Sequence, residues 1–184
     1  MAKQFPVFSD RLTDFVGRQS IFFVSTAPQD GRVNCSPKGM DSLRILAPDR
    51  LAWLNVTGSG NETAAHVLEN GRMTIMWCAF EGLPLILRAY GTARAVHPGD
   101  ADWDTLSARL PKVPGARQIF DMAVETVQTS CGMAVPYLDF NEDRTLLRDW
   151  AKKKGEDGLR DYWEEKNLKS IDGLETGMKD VLER

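Results

Sequence analysis

The chain has 184 residues, 42% of them hydrophobic, enough for one domain with a proper core plus appendages and too few for two full domains. With 23 Lys and Arg against 26 Asp and Glu, the formal net charge is −3, and the basic surplus or stripe that binding to a phosphate backbone requires is missing, which excludes nucleic acid as the main partner. No apolar run approaches membrane-spanning length, residues 1–10 mix Lys3, Gln4, Pro6 and Asp10 into their apolar positions, and Cys35, Cys78 and Cys131 are too far apart for a disulfide framework or a zinc site, so the expectation is a soluble cytoplasmic protein with buried, reduced cysteines.

In chain order, residues 21–26 form an apolar, β-branched and aromatic run that the turn Pro28-Gln29-Asp30-Gly31 folds back on residues 33–36, which predicts a hairpin. Residues 42–46 and 51–56 are two further strands around Ala47-Pro48-Asp49-Arg50. Residues 72–78 and 85–96 are two more around Glu81-Gly82-Leu83-Pro84, with Gly91 marking a bulge. Six strands at short spacing, with one short helix among them, fit an antiparallel barrel or sandwich and not a parallel sheet, which needs a helix after nearly every strand. Helical spacing is read at residues 100–110 and 116–128, a final strand at residues 131–140 with Pro136 at an edge, and from Thr145 onward a helical arm with apolar positions Leu146, Leu147, Trp150, Leu159, Tyr162 and Trp163. The division expected is a barrel domain over residues 1–140 and a C-terminal arm over residues 141–184 that packs on the barrel or on a dimer partner.

Chemistry concentrates in two places. Between the strands at 51–56 and 72–78 lies Val56-Thr57-Gly58-Ser59-Gly60-Asn61-Glu62, a small-residue turn that opens a helix closed by Asn70 and Gly71. The first N–H groups of a helix have no internal partner and carry a partial positive charge, and Gly58 and Gly60 keep Cβ atoms out of the way, so the turn can hold a phosphate. Ser59 and Glu62 fit a capping box. The plainer alternative is an ordinary strand connection. Upstream, alternation places Asn34 and Ser36 on one face just before Pro37, Lys38 and Gly39, where Lys38 is a mobile cation suited to a phosphate or an electron-rich ring edge, or else a solvated strand end.

The ordered set FFVSTAPQDGRVNCSPKG, DRLAWLNVTGSGNETAAHVLENGRMTIMWCAF and LRAYGTARAV resembles the pyridoxamine 5'-phosphate oxidase-like family of FMN-binding split barrels, from about Phe15 to Val96. The segment Asn167-Leu168-Lys169-Ser170-Ile171-Asp172-Gly173 resembles the arm of one bacterial subgroup. The resemblance implies a mainly β fold, a six-stranded antiparallel Greek-key split β-barrel with flanking helices. It also implies a homodimer with two FMN sites at the interface and flavin-mediated redox of a small-molecule substrate. Carried over by position, Ser36, Pro37, Lys38 and Gly39 line the flavin, Asn55, Val56 and Thr57 face it from the next strand, and Ser59, Gly60, Asn61 and Glu62 form the phosphate turn. Trp77 is a candidate to cover the ring edge.

The departures are specific. Where the oxidases place an Arg-Lys pair in the turn, this chain has Asn61 and Glu62. The family's arginine five positions before the strand lysine is Val33, and its flavin-bonding glutamine is Ile86. Charged phosphate contacts are worth about 1.5–3 kcal/mol each, so their loss weakens FMN binding unless Lys38, Arg44 or Arg72 substitutes, and it counts against pyridoxamine phosphate oxidation in particular. The alternatives to FMN are the deazaflavin F420 and a non-catalytic flavin or haem binder, for which His66 would be the axial ligand. His66 is otherwise a packing residue on the helix face.

Overall fold

The computed structural model describes residues 2–184. Strands β1 (Lys3–Phe5), β2 (Phe22–Thr26), β3 (Asn34–Lys38), β4 (Leu43–Ala47), β5 (Arg50–Val56), β6 (Arg72–Cys78), β7 (Ile86–Val96) and β8 (Ala116–Ser130) form one eight-stranded antiparallel sheet. Helix α1 (Asp10–Gly17) precedes β2, α2 (Glu62–Asn70) links β5 to β6, and α3 (Trp103–Ser107) lies between β7 and β8. Helices α4 (Leu146–Lys166) and α5 (Met178–Leu182) make the arm. The strand order is β3-β2-β6-β7-β8-β5-β4, with β1 added on β8.

That order rolls the sheet. β3 and β4 are its opposite ends, yet only residues 39–42 join them, and four residues of chain reach at most about 14 Å. The ends must therefore approach each other, and the apolar faces meet inside. Phe22 of β2 and Trp53 of β5, with three strands between them in the order, pack edge to face with ring centroids 6.1 Å apart, and Trp53 stacks on Phe120 of β8 at 4.7 Å. Around them Val24, Leu51, Ile75, Trp77, Leu87, Ala89, Met122 and Val127 are sealed from water. Alternation along β5 sends Leu51 and Trp53 to this core and Ala52 and Leu54 to a second one, shared with Val96, Leu106, Leu110 and Ile119 under α3.

Six strands predicted from pattern are present within two residues of their expected ends. The hairpin strand runs two residues further, through Pro37. This is tolerated because β3 is an edge strand paired only with β2, where a missing N–H removes no ladder bond on the open side. The bulge expected at Gly91 is there: the register shifts between Tyr90 and Gly91, and a Cβ at Gly91 would overlap the Ala123 carbonyl.

Three expected elements and one expectation about the cysteines fail. Residues 116–128 are not a helix but most of β8, a central strand. Arg117–Met122 are buried on both faces, which hides the two-residue period and leaves only accidental helical spacing, whereas alternation emerges once Ala123 and Glu125 face solvent. Residues 131–140 are an irregular exposed segment in place of a strand, with Met133, Tyr137 and Phe140 in water. Residues 100–110 hold only the five-residue α3. Two of the cysteines expected to be buried, Cys35 and Cys131, are exposed, and Cys78 alone is enclosed.

The arm has a small core of its own, Ala151, Leu159, Trp163, Met178 and Val181. Helix α4 breaks at Gly155 (φ 69, ψ 177), a conformation open essentially to glycine alone.

Candidate functional site

The residues singled out on β3 and around the glycine turn come together at one end of the rolled sheet. Asn34, Ser36 and Lys38 share the inward face of β3. Ser36 Oγ donates to Asn34 Oδ1 (2.9 Å), and Asn34 Nδ2 donates to Thr63 Oγ1 in the first turn of α2 (3.2 Å), so the β3 row is tied to the start of the helix. Half-buried Lys38 ends the row with its ammonium 5.4 Å from the centre of the Trp53 ring. Burial, with the nearby positive charge of Arg117, pulls its pKa down to about 8.

The glycine turn departs from the expected capping box. Helix α2 begins at Glu62 with Asn61 at its N-cap position, and no side chain caps it. Asn61 Oδ1 is taken by Gln118 Nε2 (2.9 Å), and the Glu62 carboxylate accepts the Ile171 N–H of the arm (3.0 and 3.2 Å). Gly71 closes the helix in the left-handed conformation (φ 71), as expected. The N–H groups of Ser59 to Thr63 meet no protein acceptor among the described residues. Thr57 is committed elsewhere: its hydroxyl donates to the Gly115 carbonyl (2.9 Å) and accepts from Trp163 Nε1 of the arm (2.8 Å). Asn55 is buried on β5, opposite Gln118 of β8, and half-buried Val56 pairs with Ala116.

Of the three cations expected to make up the missing charge, Arg44 and Arg72 do not supply it. Arg44 is bound by the carboxylate of Asp41 (2.6 Å), and Arg72 lies at the far end of α2, against Asn70 Oδ1. Arg117, which the sequence did not single out, lies directly beneath the turn. It is 2% exposed, with Nη2 on the Gly60 carbonyl (3.2 Å) and Nη1 on Asn167 Oδ1 (2.6 Å). Arg117 and Gln118 were read as helix residues. The available signal was a charged and an amide residue opening a run as apolar as Ile119–Phe120, since such groups are buried only where something satisfies them.

Two other candidates have structural uses. Trp77 is 1% exposed in the core, between Phe8 and Phe22, and reaches the wall of the smaller cleft along Gly39, Asp41 and Arg44. His66, also 1% exposed, has its Nδ1 2.9 Å from Thr26 Oγ1 beneath α2, and its unpartnered Nε2 is sealed from the surface that a haem iron would have to reach it from.

Beyond Lys38 opens a cleft of about 1240 Å³ between α1, the 79–85 loop and residues 138–147, with Pro37, Lys38, Gly39 and Met40 on its wall. A smaller one of about 590 Å³ lies along Gly39, Asp41 and Arg44. The walls of the larger cleft are mainly apolar, with Phe15, Leu83, Leu138 and Leu147 among them. Neither cleft includes the glycine turn itself, so Lys38 stands between an open apolar space and a row of free backbone N–H groups. No group of His, Cys, Asp and Glu among the described residues could hold a metal ion, and no described helix is long and apolar enough to cross a membrane.

Comparison with known proteins places this geometry in context. Residues 8–131 match the family model for pyridoxamine 5'-phosphate oxidase. The Aspergillus flavus pyridoxamine 5'-phosphate oxidase family protein ustO is 36% identical over 202 aligned residues, covering 95% of this chain and 80% of its own length. Among solved structures, HupZ from Group A Streptococcus superposes with a TM-score of 0.53 at 22% identity, over 66% of this chain and 98% of its own. A Lactobacillus delbrueckii protein provisionally named a pyridoxamine 5'-phosphate oxidase does so at 0.53 and 18%, over 67% and 94%. At these identities the structures bear on the fold alone, and they carry the same antiparallel split-barrel class.

Proposed function

Since the chain belongs to the pyridoxamine 5'-phosphate oxidase family, we propose that it binds FMN at the β3 row and the glycine turn and uses it for redox chemistry on a small substrate held in the larger cleft. The observation that carries this reading is the placement of Lys38, a half-buried cation between an apolar cleft roomy enough for a planar ring and unpaired N–H groups suited to a phosphate. When bound, FMN supplies hydride acceptance and onward electron transfer. The chain's own part is positional and electrostatic: Ser36 and Lys38 would hold the ring, Lys38 would offset negative charge on its reduced form, and the backbone N–H groups of Ser59, Gly60 and Asn61 would hold the phosphate. No side chain of the site is required as an acid or base.

The site is shared, in this reading, between two copies of the chain. Leu83, Leu138, Phe140 and Leu146 are exposed apolar residues on the walls of the cleft, and Met133 and Tyr137, 82% and 80% exposed, lie in the same 131–140 segment, so a second subunit would cover an apolar rim here. The deciding experiment is the absorption spectrum of freshly purified protein, followed by mass analysis of what denaturation releases and by thermal melting with added FMN. A flavin spectrum, or an upward melting shift worth about 2.7 kcal/mol at 100 times Kd, supports the reading. A colourless protein that FMN does not stabilise overturns it, and release of F420 or haem would name the other cofactor.

A further inference from the structure

We propose that Arg117 takes over the task of the missing turn cations: its buried guanidinium is the fixed countercharge for the ligand's phosphate and also sets the turn in its phosphate-accepting orientation. This rests on the flavin reading above for the identity of the ligand. It rests on independent observations for the site.

Arg117 is a charge taken out of water without an acid to neutralise it. It is 2% exposed, its two hydrogen-bond partners are neutral oxygens, no carboxylate among the described residues pairs with it, and its Nε has no partner. The neighbouring ammonium of Lys38 has the same sign and is close enough for the two to repel. A buried cation in this state is costly, and a fold keeps one where an anion completes it. Two further polar atoms of the same cluster are unsatisfied, Asn61 Nδ2 and Gln118 Oε1, and Asn61 is itself 2% exposed within the turn. The first is a donor and the second an acceptor, so with Arg117 Nε the cluster has one more free donor than free acceptor, and its charge is positive, beneath an exposed Ser59-Gly60 turn.

Orientation follows from peptide geometry. In a trans peptide the C=O and the next residue's N–H point in opposite directions, and every peptide here is trans. Arg117 Nη2 draws the Gly60 carbonyl inward and Asn167 Nδ2 draws in the Gly58 carbonyl (3.2 Å), which turns the N–H groups of Asn61 and Ser59 outward. The arm meets the turn at the Gly58 carbonyl and at the Glu62 carboxylate. Through Asn167, which also holds Nη1, it locks both the guanidinium and the two carbonyls in place. Glu62, the one acid at the helix start, is occupied by the Ile171 N–H. The ligand class is a phosphate monoester dianion, for which the fixed charge counts most.

The experiment compares FMN, riboflavin and inorganic phosphate on wild type, Arg117→Met, Arg117→Lys and Asn167→Asp. Asn167→Asp keeps the side-chain shape and sets a carboxylate against the guanidinium, so it tests the charge even if Arg117→Met fails to fold. FMN affinity should fall about 10- to 100-fold in Arg117→Met and Asn167→Asp, riboflavin affinity should change less than about threefold, and Arg117→Lys should recover most of the loss. Inorganic phosphate should raise the melting temperature of wild type and leave that of the two charge-cancelled variants unmoved. Equal losses for FMN and riboflavin, or an unchanged FMN-to-riboflavin ratio, would overturn the assignment of Arg117 while leaving the flavin reading intact. Stabilisation by phosphate that depends on Arg117, in a protein that binds no flavin, would keep the anion site and remove FMN as its ligand. A wild type insensitive to both overturns both.

Discussion

Lys38 shows what one residue contributes to such a site and what it costs. Its pKa is lowered from 10.5 to about 8, first by burial and then by Arg117, so folding takes the ammonium into surroundings that disfavour its charge. Between about pH 8 and 10.5 the unfolded chain binds more protons at this position than the folded one, and stability from Lys38 alone rises as pH climbs through that window. An anionic ligand reverses the preference, since it favours the charged lysine. FMN binding should therefore weaken as pH rises from about 7 to about 9, and Lys38→Met should bind more weakly at the lower pH and lose most of the pH dependence. Fluorescence titration of FMN at several pH values gives the answer, and parallel profiles for wild type and Lys38→Met would remove Lys38 from the ligand's surroundings. The lysine was legible in the sequence because alternation along a short strand set it beside Asn34 and Ser36. Its low pKa was not, because the burial that is its main cause depends on the fold and the second cause is an arginine 79 positions away in the chain.

At the scale of elements, the long β7–β8 pairing carries the barrel, and its one irregularity is built on a glycine. A Cβ at Gly91 would run into the Ala123 backbone, which has no side chain to rotate away, so Gly91→Ala must push the two strands apart at the bulge. The expected loss is about 1–3 kcal/mol, measured as a lowered midpoint in urea unfolding, and a variant as stable as wild type would mean that the ladder absorbs the extra carbon elsewhere. Gly91 was legible as a bulge from sequence, and so were the six strands with a clean alternation or a turn on either side. β8 was not. A strand buried on both faces at one end, as Arg117–Met122 are, shows no period, and only the β-branched content of Ile119, Val124, Thr126, Val127 and Thr129 marks it as extended. That single misreading also concealed the site's charge, because a helix over 116–128 would not have placed Arg117 and Gln118 opposite β5 and under the glycine turn. The helix start was misjudged for a related reason: Ser59 and Glu62 satisfy the local capping pattern, but tertiary partners, Gln118 for Asn61 and Ile171 for Glu62, take those side chains.

For the whole molecule the question is what closes the large cleft. One subunit leaves it bordered by the irregular 131–140 segment, whose Met133, Tyr137, Leu138 and Phe140 lie in water together with Leu83 and Leu146. Singly exposed apolar residues need no explanation, but four on the walls of one opening, with Met133 and Tyr137 on the same segment, form a patch of the kind that marks an interface. The sequence showed this segment as apolar and misread it as a strand, since residues meant for a partner alternate no differently from residues meant for a core. A second copy packed on the rim would bury the patch and complete a shared flavin site. Light scattering should therefore give twice the chain mass, and Leu83→Glu combined with Tyr137→Glu should shift it toward monomer. Both positions are exposed, so the cost to the fold itself should stay within about 0.5 kcal/mol per substitution. If the two sites are shared, FMN affinity should fall together with the dimer in that variant. A wild type that is monomeric at micromolar concentration, or a monomeric variant that holds FMN as tightly as the parent, would mean that each subunit builds its site alone from β3, the glycine turn and Arg117.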